Sequence, residues 1–280
     1  MQIDGWKYYN HAVIPTTAPH ITPAVLPSKN SDIWKIGGAT PLLARWTTDF
    51  DCGHKTNWWY VIKDTPFDIA EVKAKRRYEI NKGIKNFYVV EIDPLDYKEE
   101  LYKVQIDAFS AYPEKYRPTV ERRSFYKSID KWGEYSVIAA FHRDTDELCG
   151  YALLSKANEG YIDFTVLKTK PQYEKFSVNA ALVEGIMRQF NDFLEKGGYI
   201  CDGARNINHE TGFQDYLEKY FGFRKAYCKL HIEYRPKLKG VIKLLYPFRK
   251  IFLTLDGVGK IHQLNSVLKM EEICRSGDVE

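Results

Sequence analysis

Between residues 87 and 234 the apolar positions switch several times between a two-residue and a helical period. Phe87-Tyr88-Val89-Val90-Glu91-Ile92 is rich in β-branched and aromatic side chains and predicts a strand, ended by Asp93-Pro94. Leu101, Val104, Ala108 and Phe109 recur among charged residues, which predicts a helix over 95–109, and a second, shorter one is expected over 119–132. Three strands follow over 135–142, 148–155 and 160–168, joined by the turn-forming runs Asp144-Thr145-Asp146-Glu147 and Asn158-Glu159-Gly160. Val178, Ala181, Leu182, Ile186, Phe190, Phe193 and Leu194 share one helical face, so a long amphipathic helix begins near Ser177 and stops at Gly197-Gly198. Tyr199-Ile200-Cys201-Asp202 reads as a strand. A helix then closes on Tyr220-Phe221-Gly222-Phe223, and a last strand runs through Ile232. The fold class expected is α/β, a mixed sheet flanked by helices.

The first 86 residues have a different texture. Pro15, Pro19, Pro23 and Pro27 recur every four residues and exclude helix there. Leu42 to Trp46 and Asn57 to Asp64 predict strands, so this part is a shorter, strand-rich unit. Asp68-Ile69-Ala70-Glu71 is a capping box that predicts a basic helix over 69–83, with Gly83 taking the left-handed position past its end. Three segments result: 1–86, 87–235 and a C-terminal extension over 236–280. Within the extension, residues 236–253 mix Lys and Arg with Leu, Ile and Phe. That pattern suits either peripheral contact with an anionic membrane or a packed connector broken at Pro247.

Composition narrows the setting. Forty-one basic residues against 37 acidic ones give a net charge of +4, too even to demand nucleic acid, so any basic function must be local. Five cysteines with no C-x-x-C predict reduced structural thiols rather than a disulfide framework or zinc ribbon, and none stands beside a histidine as a nucleophile would. The scattered His11, His20 and His54 propose no metal site. The first residues carry no basic-then-apolar signal, and no run reaches the ~18–20 apolar residues of a membrane span. A cytoplasmic protein is expected, with the inner membrane face as a second location if 236–253 binds lipid.

The order β-α-α-β-β-β-α-β-α-β over 87–234 resembles that of the GNAT acyltransferase fold. Lys75-Arg76-Arg77, Ile80 and Lys82-Gly83, with the strand from Phe87 and the late Leu217-Glu218-Lys219-Tyr220-Phe221-Gly222-Phe223, resemble motifs of the Fem-like transferases. Those proteins build peptidoglycan cross-bridges. The resemblance covers roughly residues 57–235 and implies transfer of an acyl or aminoacyl group to an amine of a cell-envelope precursor. Acyl-CoA or aminoacyl-tRNA would be the donor and no metal would be needed. The implied partners are a small-molecule or lipid-linked acceptor and, with an aminoacyl donor, tRNA. Two other readings stay open: a CoA-dependent N-acetyltransferase, and a non-catalytic binding protein that keeps the fold.

Four places are candidates for the chemistry. Phe176, Ser177, Val178 and Asn179 open the long helix, where GNAT enzymes hold the donor pyrophosphate. A helix N-terminus suits anions, but the usual glycine-rich loop is missing, since no glycine lies between Gly160 and Gly185. Ser177 as a simple packing cap is the alternative. Lys73, Arg76 and Arg77 share a face of the basic helix and suit phosphate or carboxylate, unless they form a solvated face. The loop from Cys201 to Gly212 is densely polar. Asp202 and His209 are its candidate acid–base groups, and an ordinary helix N-cap, with Asn208 or Thr211 capping the helix that holds Tyr216, is the alternative. Tyr216 is a candidate general acid, although GNAT enzymes usually place that tyrosine where Glu218 stands here. Trp46, Trp58 and Trp59, with Asp49 and Asp51, are candidates for lining an acceptor cleft, with a small hydrophobic core as the alternative, above all for the pair Trp58 and Trp59.

Overall fold

The computed structural model describes residues 2–38, 40–114, 117–156, 158–207, 212–255 and 259–276. It divides into two compact units, one of residues 1–61, 204–211 and 225–280, the other of 62–203 and 212–224.

The first unit begins with short strands β1 (Gln2–Ile3), β2 (Trp6–Tyr9) and β3 (Ala12–Pro15), then a 3₁₀ turn over Asp32–Gly38, β4 (Leu43–Thr48) and β5 (Trp58–Lys63), which ends just past the unit boundary. The proline-rich stretch between β3 and the 3₁₀ turn has neither helix nor strand, as expected from its spacing.

The second unit opens on α1 (Ala74–Asn86) and β6 (Phe87–Glu91), followed by α2 (Lys98–Ser110) and α3 (Arg122–Ile129). Strands β7 (Tyr135–His142), β8 (Leu148–Ser155) and β9 (Tyr161–Thr169) lead to α4 (Val178–Glu195), β10 (Tyr199–Ala204) and α5 (Gly212–Phe221). The chain then returns to the first unit through β11 (Arg224–Tyr234), α6 (Leu238–Leu245), α7 (Arg249–Leu253) and α8 (Gly259–Ser276).

In the second unit the strand order is β10-β9-β8-β7-β6. All pairs are antiparallel except β9 with β10. The elements follow one another along the chain in the order expected from the sequence, and they form the expected mixed sheet flanked by helices. Side chains alternate across the sheet. Val137, Ala139, Phe141 and Leu153 pack under Leu101 and Val104 of α2 and Phe125 and Ile129 of α3. Ile138, Ala140, Ala152 and Leu154, all fully buried, point to the opposite face, where α4 lies. In the first unit the strand order is β1-β2-β3-β4-β11-β5. There Leu43 and Tyr234 pack on Ile242 of α6 and on Val267, Leu268 and Met270 of α8.

Several expectations need correction. The division at residues 86 and 235 is not the one the fold makes, because α1 packs on α4 and so belongs to the second unit. The C-terminal extension is not separate either, since α6 and α8 complete the core of the first unit. The capping box at Asp68 is real but local. Its carboxylate accepts from the Ala70 amide at 2.7 Å and closes only a 3₁₀ turn over Ile69–Glu71. The helix itself starts at Ala74, and Gly83 sits inside it rather than past its end.

Gly83 is there because another backbone passes close by. A Cβ at this position would lie 2.6 Å from the Ser177 carbonyl oxygen and 2.9 Å from the Ala181 amide nitrogen. Neither is the movable tip of a side chain. Gly83→Ala gains about 1 kcal/mol of helix propensity, but overpacking against backbone costs about 1–3 kcal/mol. The expected outcome is net destabilisation in a urea titration, with α1 loosened from α4.

Candidate functional site

Strands β9 and β10 pair over three residues only: Tyr199 with Tyr161, Ile200 with Ile162, and Cys201 with Asp163. Strand β9 continues to Thr169 on the other side, against β8, with a bulge: Leu153 faces Val166 while Leu154 faces Phe164, so Thr165 is the extra residue. At Gly203 the backbone of β10 adopts a φ of +96°, a conformation that favours glycine. The two parallel strands thus part just beyond Asp163 and Cys201. Asp202 stands at that point.

Residues 162, 164, 200 and 202 share a face by the two-residue period and the pairing of Ile200 with Ile162. The first turn of α5 packs there. The Phe213 ring meets Phe164 edge-on at 5.9 Å, and Gln214 hydrogen-bonds the Asp202 carboxyl. Burial raises the Asp202 carboxyl to about 7, with the hydrogen bond to Gln214 opposing the rise and the charge of Asp163 adding to it. A carboxyl of that kind exchanges a proton near neutral pH, as a general base must. Nearby, Tyr161 is hydrogen-bonded to Asp163 and its phenol is raised far above the ordinary range, chiefly by burial.

From Phe213 a row of rings runs along α5. Tyr216 stacks on Phe213 at 6.2 Å and lies 4.7 Å from Tyr220. The Tyr216 hydroxyl is buried and has no hydrogen-bond partner among the described residues. Burial raises this phenol above its usual range, with Glu79 and Tyr220 adding to the rise, so it keeps its proton. An unpaired buried hydroxyl costs about 1–3 kcal/mol, a cost that singles Tyr216 out among the aromatic residues of this unit. His209 lies outside the described residues.

The other expected positions are occupied by the fold. Arg76 donates to the Lys219 carbonyl at the end of α5 and sits 5.8 Å from the Tyr220 ring centroid, where a cation suits the helix terminus. Tyr220 is hydrogen-bonded to Glu79. Arg77 donates to the Ala70 carbonyl at 3.0 Å. Lys73 is exposed at the head of α1. The three cations therefore do not converge on one open anion site.

At the head of α4, Ser177 is in the left-handed region (φ +64°), makes no capping bond through its side chain and is buried, and Val178 is fully buried. The Asn179 side chain accepts from Thr169 at 2.8 Å, and Phe176 packs on His142 and Tyr173. The preceding turn is tied down by Glu147, which accepts from Lys170 and Tyr173 at 2.5 Å each, and Lys170 lowers its carboxyl most. This anchor was invisible in the sequence because Glu147 and its partners are 23 and 26 residues apart. With α1 packed on Ser177 and Ala181, this helix start is a packing surface rather than an open cradle for phosphate.

In the first unit, Trp46 stacks on His231 at 5.3 Å and 14°, and the Thr48 hydroxyl bridges His231 Nε2 (2.8 Å) and Asp49 (3.2 Å). Burial lowers the His231 imidazole, with Lys229 adding to that and the exposed Asp49 opposing it. The cross-strand pair of His231 with Trp46 joins residues 185 apart, which no local pattern reveals. Cys52 Sγ lies 3.8 Å from His54 Nε2 on an exposed turn, a neighbour that reading the spacing alone passed over. Burial raises the Cys149, Cys228 and Cys274 thiols to about 11, 12 and 12, so all three stay protonated. Among the described residues no group of three or more His, Cys, Asp or Glu is placed to hold a metal, and no helix is long and apolar enough to cross a membrane.

No family model matches the chain, and no curated protein matches it. Solved structures do resemble it. One is L-PGS from Bacillus licheniformis, at 12% identity and a TM-score of 0.45, covering 75% of this chain and 67% of that one. Another is the C-terminal domain of a putative lysylphosphatidylglycerol synthetase from Agrobacterium fabrum, at 10% identity and a TM-score of 0.47, covering 86% and 82%. FemX matches at 11% identity and a TM-score of 0.43, over 60% of this chain and 59% of its own.

The raised Asp202 carboxyl makes stability depend on pH. The folded chain holds this proton up to about pH 7, whereas an unfolded aspartate releases it near ~4. The folded state therefore binds more protons between those values and loses stability as pH rises through them. Asp202→Asn removes that penalty while keeping an oxygen to accept from Gln214. The variant should melt higher than the parent at about pH 8, with the gap closing toward about pH 4 in a series of thermal melts.

Proposed function

We propose that the second unit transfers an acyl or aminoacyl group from an activated donor to an amine held where β9 and β10 part. The observation that carries this reading is Asp202, a half-buried carboxyl raised to about 7 by burial at the mouth of the gap. At neutral pH about half of it is carboxylate. The carboxylate takes a proton as the amine nitrogen bonds to the donor's carbonyl carbon, and the carbonyl π electrons move onto oxygen. Collapse of that oxyanion breaks the bond to the leaving group. Tyr216, which keeps its proton, is the group we assign to protonate the leaving oxygen or sulfur. No covalent enzyme intermediate is needed, in keeping with the raised thiols of Cys149, Cys228 and Cys274.

The packing of α1 over the start of α4 favours an aminoacyl-tRNA donor over acyl-CoA, because the amides that would face a pyrophosphate are turned into a helix–helix contact. The acceptor class, an amine of a cell-envelope precursor, is supported by the Fem-like residues from Lys75 to Gly83. A CoA-dependent N-acetyltransferase is the second reading, and it requires α1 to move off Ser177.

The test is a transfer assay with purified protein, an amine-bearing envelope precursor fraction, and either charged tRNA or acetyl-CoA. Transfer from charged tRNA is expected, falling as pH drops below about 7. Asp202→Asn should lower the rate by ~10²–10⁴-fold, and Tyr216→Phe should lower it while leaving the fold at least as stable. Transfer from acetyl-CoA alone would favour the second reading. An unchanged rate in Asp202→Asn would remove the assigned base.

A further inference from the structure

The exposed apolar side chains of this molecule are not scattered evenly. Val241, Leu244, Phe248, Ile251, Leu253 and Leu255 are 46%, 70%, 52%, 60%, 55% and 45% exposed, and all fall within fifteen consecutive residues of the first unit. They sit on α6, the 3₁₀ turn over Tyr246–Phe248, α7 and the residues just after it. The opposite side of the same segment is used for folding. Ile242 is buried, and Leu238, Tyr246 and Phe252 pack with it on Tyr234, Val267 and Leu268. One face of the segment thus anchors it to the core, while the other offers large apolar side chains to the outside.

The charge around this face has one sign. From Arg235 to Leu255 there are six Lys and Arg and no Asp or Glu. Lys239 and Arg249 are paired with Glu233 and Glu272. Lys237, Lys243 and Lys250 are exposed and form no ion pair among the described residues. Beside α6 a cleft of about 670 Å³ is lined by Lys29, Trp34, Arg235, Lys237, Leu238 and Val241, so cations and apolar groups meet there as well.

We infer that this face docks on an anionic lipid bilayer, with Leu244, Phe248 and Ile251 entering the interface and Lys237, Lys243 and Lys250 meeting lipid phosphates. Several features favour lipid as the occupant. The exposed cations around this face, Lys237, Lys243 and Lys250, are complementary to anionic headgroups. The exposed residues include leucine, isoleucine and phenylalanine on short helices joined at Pro247, which suits lying in the interface rather than crossing it. The inference concerns the first unit and does not depend on the transfer reaction.

The experiment is vesicle co-sedimentation of the full chain with phosphatidylcholine alone and with phosphatidylcholine mixed with phosphatidylglycerol. Binding to the mixed vesicles is expected, weakening as salt rises, with little binding to phosphatidylcholine alone. Leu244→Asp/Ile251→Asp should reduce partitioning at least about tenfold. Lys243→Glu/Lys250→Glu should reduce it by roughly fivefold or more per site. All four positions are exposed, and circular dichroism checks that the variants fold. Absence of binding to anionic vesicles, or binding that the apolar double variant leaves unchanged, overturns the proposal. So does light scattering that shows a dimer dissociated by the same variant without vesicle binding, which would make the face a contact between copies.

Discussion

Two parallel strands that pair over only three residues set the terms for the site. Had β9 and β10 stayed in register along the nine residues of β9, their backbone groups would satisfy one another and Asp202 would lie in a continuous sheet. Instead the pairing ends at Cys201, Gly203 follows with a positive φ, and β9 carries its extra residue at Thr165. The parting lets the first turn of α5 approach the strand ends, with Phe213 on Phe164 and Gln214 on Asp202. The raised carboxyl and the buried Tyr216 hydroxyl both follow from that approach. Strand ends in open α/β sheets are where ligands gather, and here one short helix, α5, packs against them.

A second constraint works against the usual use of the fold. Helix α1 crosses the start of α4 so closely that only glycine fits at position 83. The contact converts a helix N-terminus, a natural site for anions, into buried packing. Arg76, Arg77 and Glu79 then serve to dock α1 on the end of α5 and on its own leading turn. The basic helix thus acts as a brace. While the brace is in place, these amides are not open to a phosphate group.

Much of the second unit was legible in the sequence because its signals are local. The strands at Tyr135–His142 and Leu148–Ser155 match their expected limits, since alternating apolar residues and a tight polar turn fix both ends. The start of α1 was misjudged by five residues because a good capping box closes a 3₁₀ turn as well as an α-helix. Gly83 was misjudged because a glycine near a helix end looks like a stop signal unless the neighbouring helix is known. Asp202 was legible as a polar residue at a strand end, but its raised carboxyl depends on burial under α5. Glu147 with Lys170 and Tyr173, and His231 with Trp46 and Thr48, could not be read at all, because each joins residues that meet only after the sheets form. The exposed face of α6 and α7 was half legible: amphipathic composition showed it, and only the fold tells which side is left open.

The central claim is that burial at the parting of β9 and β10 holds Asp202 near the pH at which it can exchange a proton. The most direct test is a carbon-13 NMR titration of the aspartate side-chain carboxyls of the folded chain, with Asp202→Asn to assign the resonance. A midpoint near 7 for Asp202 is expected. A midpoint near the ordinary ~4 of an exposed aspartate would contradict it, and with it the assignment of Asp202 as the base.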